Sequence, residues 1–70
     1  PYREDALFYL FDSSYELAIN SVDSKMLERL NDAKKLYNEL IEVYPESKYI
    51  GKSNKLNESI DSKISTFANN

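Results

Sequence analysis

Four residues in the middle of the chain, Ala33, Tyr37, Leu40 and Pro45, constrain its fold more than any others. An aromatic follows the small residue by four positions, a leucine follows three later, and a proline closes the segment five positions after that. On a helix, Ala33, Tyr37 and Leu40 share one face. The methyl group of Ala33 lets a second helix backbone approach, and the Tyr37 ring fills the space beside that contact. Pro45 cannot extend a helix, and it disfavours α geometry at Tyr44. The spacing predicts the second helix of an antiparallel hairpin, with Ala33 at the closest approach.

The rest of the chain is also helical in pattern. It holds one Gly and two Pro, one of them at position 1, and strand alternation is absent, so the expected class is all-α with two breaks. A first helix is expected over residues 3–22. Its apolar side chains, from Leu7 and Phe8 to Ile19 and Val22, span an arc of roughly 220°, far wider than the stripe of an ordinary surface helix. A second helix is expected over 25–44, with Asp23 or Ser24 as N-cap and a Lys35–Glu39 pair at i, i+4. The turns are placed near Asp23-Ser24 and Pro45-Glu46. A third helix follows, with Ser47 as N-cap and its end near Phe67. Its apolar stripe of Tyr49, Leu56, Ile60, Ile64 and Phe67 is only about 80° wide. Gly51 falls in its first turn at a cost of ~1 kcal/mol relative to Ala, and a tight approach is the one reason for it that the sequence suggests. Asn69 and Asn70 read as a frayed end.

Composition narrows the function. At 70 residues the chain holds at most one domain, which buries only about 60% of its unfolded surface. It has no Cys and no His, so the common ligands of zinc, haem and iron–sulfur clusters are missing, and no cofactor is expected. A net charge of -3 argues against a nucleic-acid or anionic-membrane surface. No apolar run approaches the roughly 20 residues that span a bilayer. The carboxylates Glu4, Asp5, Glu28, Asp32, Glu39, Glu42 and Glu46 read as a solvated face, because acid–base work needs a cleft that perturbs their ionisation. No nucleophile has a base near it in the pattern, so no enzymatic activity is expected. Asn57-Glu58-Ser59 matches a glycosylation sequon by chance, inside a helix. The chain begins at Pro1 without Met, and reads as a piece of something longer.

The unequal faces complete the argument. The spacing of Ala33, Tyr37, Leu40 and Pro45 is the second half of the tetratricopeptide pattern. Leu7, Leu10 and Phe11 occupy the large positions of the first half, with Phe11 where glycine is usual and a surplus of about ten residues before Leu30. The expected architecture is a tetratricopeptide-like hairpin over 1–45 and a capping helix over 46–70. Terminal units of a stack need a polar outer face, and the third helix has one. The first helix has more apolar surface than one hairpin covers. Phe8, Phe11, Tyr15 and Ile19 form an aromatic-rich surface that packs against a preceding repeat or docks a partner protein. Glu39, Glu42, Lys52 and Lys55, on the outer sides of the second and third helices, are further partner-contact candidates.

Three stretches resemble one family. They are Tyr2-Arg3-Glu4-Asp5-Ala6-Leu7-Phe8, Ser13-Ser14-Tyr15-Glu16-Leu17-Ala18-Ile19-Asn20-Ser21-Val22 and Glu42-Val43-Tyr44-Pro45-Glu46-Ser47-Lys48-Tyr49-Ile50. They are similar to the BamD-like lipoproteins of Bacteroidetes-type bacteria, tetratricopeptide subunits of the outer-membrane β-barrel assembly machine. The chain departs from that pattern after Ile50, where Gly51-Lys52-Ser53-Asn54 replaces a helix richer in Ala and Glu. The resemblance implies a C-terminal piece of a repeat array, held by an N-terminal lipid at the periplasmic face of the outer membrane. It also implies contact with the β-barrel subunit of the machine. Two alternatives remain open: a generic tetratricopeptide adaptor of another complex, and a self-associating bundle whose first helix pairs with its own copy.

Overall fold

The computed structural model describes residues 3–68. Three helices follow in order: α1 over Glu4–Ile19, α2 over Asp23–Val43 and α3 over Ile50–Ala68. Among the described residues there is no strand. The class is all-α, a hairpin of α1 and α2 followed by a third helix. The expected fraying of Asn69 and Asn70 lies outside the described residues.

The hairpin forms around small and branched side chains. Leu7, Phe8, Phe11 and Ala18 of α1 meet Leu30, Ala33 and Leu40 of α2, and each of them is buried. Ala33 is fully inaccessible, as expected of a residue between two helix backbones. Two apolar faces that share their core along most of their length hold α1 and α2 together more extensively than either is held to α3. On α3 only Ile60 joins the fully buried apolar core, while Leu56, Ile64 and Phe67 pack against it half-buried.

The first turn falls earlier than expected. α1 stops at Ile19 instead of continuing to Val22. The Asn20 side-chain amide donates to the Glu16 carbonyl at 2.9 Å, and the Ser21 hydroxyl donates to the Leu17 carbonyl at 2.5 Å. The Glu16 carbonyl also keeps the Asn20 backbone amide, but the Leu17 carbonyl takes the Ser21 hydroxyl while the Ser21 amide turns to Ala18, the competition that makes such residues helix terminators. The N-cap of α2 is Val22, extended at φ -66 and ψ 154 and without a side-chain cap bond, in place of Asp23 or Ser24. Asp23 instead lies in the first turn, where its charge meets the positive end of the helix dipole.

The second turn is longer than expected. Tyr44 leaves helical geometry at φ -128 and ψ 65, the departure that a following proline enforces, and α3 begins only at Ile50. Ser47 is therefore not the N-cap. Its hydroxyl accepts the Tyr49 amide at 3.1 Å, inside the turn. Gly51 does lie in the first turn of α3, but nothing stands within 4 Å of a Cβ built there, so the tight approach is absent and nothing in the structure explains the glycine.

Candidate docking groove between α1 and α3

α3 runs antiparallel to α2 and parallel to α1, and polar contacts at both of its edges fix that course. Toward α2, the Tyr37 hydroxyl donates to Asn54 Oδ1 at 2.7 Å. Lys34 reaches Asn57 Oδ1 at 3.2 Å and pairs with Asp61. The ion pair thus uses Lys34 across helices, where the sequence suggested Lys35 and Glu39 within one. Toward α1, the Ser47 hydroxyl donates to Glu4 Oε2 at 2.5 Å. The Tyr49 hydroxyl donates to Asp5 Oδ1 at 2.8 Å. The Tyr49 ring stacks on Phe8, with centroids 4.3 Å apart and planes 6° from parallel.

That clasp perturbs one ionisation. Tyr49 is pushed up to about 12, first because its hydroxyl is bonded to Asp5, then because it is partly desolvated and faces the charges of Asp5, Tyr9 and Glu4. Each of these opposes the phenolate.

Below the clasp α1 and α3 border an open groove of about 530 Å³, lined by Phe8, Tyr9, Asp12, Lys52, Lys55, Leu56 and Ser59. A second hollow at its upper end adds Asp5 and Lys48 beside Tyr9. The floor is apolar, made by Phe8 and Leu56, and the walls are charged. Asp5 and Asp12 fall at i and i+7 on one side of α1. Lys48, Lys52 and Lys55 fall at i, i+4 and i+7 at the start of α3. One wall is acidic and the other basic. Among the described residues no ion pair spans the gap between them.

The repeat-motif residues sit together as expected on α2. Ala33 and Leu40 are buried, and the Tyr37 ring contacts Phe11 at 5.8 Å while its hydroxyl reaches α3. Pro45 is exposed in the turn. The expected docking set divides. Phe8 and Phe11 are buried within the chain, at 7% and 0% exposure, so neither ring is free to receive a neighbouring repeat or a partner as a whole surface. The reason is that α3 and Tyr37 cover them. Tyr15 and Ile19 are half-buried. The apolar side chains left open are others: Leu10, Leu17, Val22, Leu27, Ile41 and Val43, with Tyr9 at the groove. By helical steps Leu10 and Leu17 share a stripe one hundred degrees or more from Phe11, on the side of α1 away from Phe8 and α3.

Sequence reading also missed Ser53. It is fully buried, and its hydroxyl has no hydrogen-bond partner. The register held the signal: Ser53 lies four residues after Tyr49, three before Leu56 and seven before Ile60, in the middle of the α3 stripe.

Among the described residues no helix is long and apolar enough to cross a membrane, and no cluster of three or more His, Cys, Asp or Glu could hold a metal ion. Compared with protein-family models, with curated proteins and with solved structures, the chain matches none.

Proposed function

We propose that the chain is a protein–protein interaction scaffold, the terminal unit of a longer stack of tetratricopeptide-like hairpins. The observation that carries this reading is the inequality of its two sides. On the side of the hairpin away from α3, Leu10, Leu17 and Val43 are 36%, 56% and 48% exposed. The outer side of α3, opposite Ile60, carries Glu58 and Ser62, both exposed. A stack ends in a polar face and continues through an apolar one. The BamD-like resemblance specifies the stack: a lipid-anchored assembly factor at the periplasmic face of the outer membrane, in which this unit contacts the β-barrel subunit. Pull-down of that subunit from detergent-solubilised outer membranes, with full-length protein carrying or lacking residues 1–70, tests the reading. Reduced recovery after the deletion is the expected result. Equal recovery overturns it and leaves the generic adaptor in its place.

A further inference from the structure

We infer that the groove between α1 and α3 receives an amphipathic helix of a partner protein, with an apolar ridge, an acidic flank and a basic flank. This deepens the scaffold reading by giving it a ligand class, and it rests on residues that the stacking face does not use.

The argument begins with the floor. Leu56 is half-buried and Phe8 only 7% exposed, so the floor is a narrow apolar strip between two parallel helices, and Tyr9, at 61% exposure, stands at its edge as an aromatic wall. Aromatic side chains left open beside an apolar hollow are the usual anchors of a protein contact. The lining offers side chains and no free backbone amides, since the amides of α1 and α3 here are spent within their own helices. An extended peptide would bring unsatisfied backbone groups onto this floor, whereas a helix satisfies its own. A helix laid in a groove is read through anchors at i, i+3, i+4 and i+7.

Charge fixes the rest of the occupant. Lys52 and Lys55 are exposed and Asp12 is half-buried, and none of the three has an ionic partner among the described residues. Both walls line the same groove. A helix with acids on one side and bases on the other satisfies both walls at once. A purely acidic segment meets Asp12 with like charge, and a purely basic one meets Lys52 and Lys55. This discrimination by repulsion is how charged walls give specificity. An anionic membrane is the weaker occupant, because the acidic wall and a chain charge of -3 both oppose it.

The test uses the full 70-residue chain and fluorescein-labelled helical peptides of about five turns. One peptide has a Leu ridge with Glu on one flank and Lys on the other. A second has the same ridge with Lys on both flanks. Fluorescence anisotropy is expected to show saturable binding of the Glu/Lys peptide to the native chain. In the Lys52→Glu/Lys55→Glu variant both walls become acidic, so that affinity is expected to fall about tenfold and the preference to pass to the Lys/Lys peptide. Both lysines are exposed, and circular dichroism confirms that the variant stays folded. Absence of saturable binding, equal affinity for the native chain and the variant, or Lys52- and Lys55-dependent binding to phosphatidylglycerol vesicles in place of the peptide each overturns the inference. None of these outcomes bears on the barrel pull-down, so the two readings can fail separately.

Discussion

Replacing Ser53 by Ala is expected to stabilise the chain. Ser53 lies in the middle of the α3 stripe, is fully inaccessible, and leaves its hydroxyl without a partner. A buried polar group without a hydrogen bond costs about 1–3 kcal/mol, and deleting the group removes that cost. Ala keeps the Cβ and adds no atom, so the close packing around it is not overfilled. Its higher helix propensity contributes a further ~0.5 kcal/mol. Against this stands the loss of one oxygen atom's dispersion contacts, a few tenths of a kcal/mol. The net expectation is a gain of about 1–3 kcal/mol. In a domain of this size each kcal/mol moves the thermal midpoint by roughly 4–8 °C, so the shift is readily measured.

Thermal and urea unfolding followed by circular dichroism at 222 nm would check it, with Ser62→Ala as control. Ser62 is exposed on the same helix, so its replacement reports propensity alone. The difference between the two variants isolates the buried hydroxyl. If Ser53→Ala gains no more than Ser62→Ala, the hydroxyl is satisfied in solution, for example by a water, and the reasoning fails.

Two further outcomes follow from the same structure. Ala33→Leu is expected to cost ~1–3 kcal/mol by overpacking the contact between α1 and α2, and an unchanged urea midpoint would show that the two helices do not meet there. Tyr49, raised to about 12 from an unfolded value near 10, contributes stability that is complete below pH ~10 and is lost as the pH rises through its folded value. Tyrosine ¹³Cζ resonances should show Tyr49 titrating last, and Asp5→Asn should draw it back toward the others; co-titration of Tyr49 with the rest in the native chain would refute the clasp.

What the sequence made legible was the part ruled by short-range periodicity. The hairpin followed from Ala33, Tyr37 and Leu40, because three residues on one face of one helix are enough to specify what packs there. The turns were harder. Asp23 and Ser24 are good cap residues, yet Asn20 and Ser21 end α1 first by bonding back to its carbonyls. Propensity ranks residues but does not say which of several terminators acts. The fate of Phe8 and Phe11 was also illegible. Their burial depends on where α3 lies, and α3 is placed by contacts more than forty residues away in sequence, such as Tyr49 to Asp5. The groove was invisible for the same reason. Its acidic wall belongs to α1 and its basic wall to α3, and neither helix carries a sign of the other.

The attachment of α3 differs in kind from that of the hairpin. The hairpin is held by a broad apolar interface, which is strong but non-directional. Among the described residues α3 contributes one fully buried apolar side chain, Ile60, with Leu56, Ile64 and Phe67 half-buried against the core, and it is tied as well by directional bonds on both edges. Glu4 and Asp5 hold its start against α1, while Tyr37 and Lys34 hold its flank against α2. Directional bonds fix an orientation that apolar contact alone leaves free. Held at its start against α1 and along its flank against α2, α3 borders the groove that Leu56 and the edge of Phe8 line. Tyr37 joins the two halves of this account. Its ring packs on Phe11 inside the hairpin, and its hydroxyl bonds Asn54 on α3. The residue that identifies the hairpin in the sequence is thus also one of those that set the groove, so the geometry of the proposed docking surface descends from the packing motif itself.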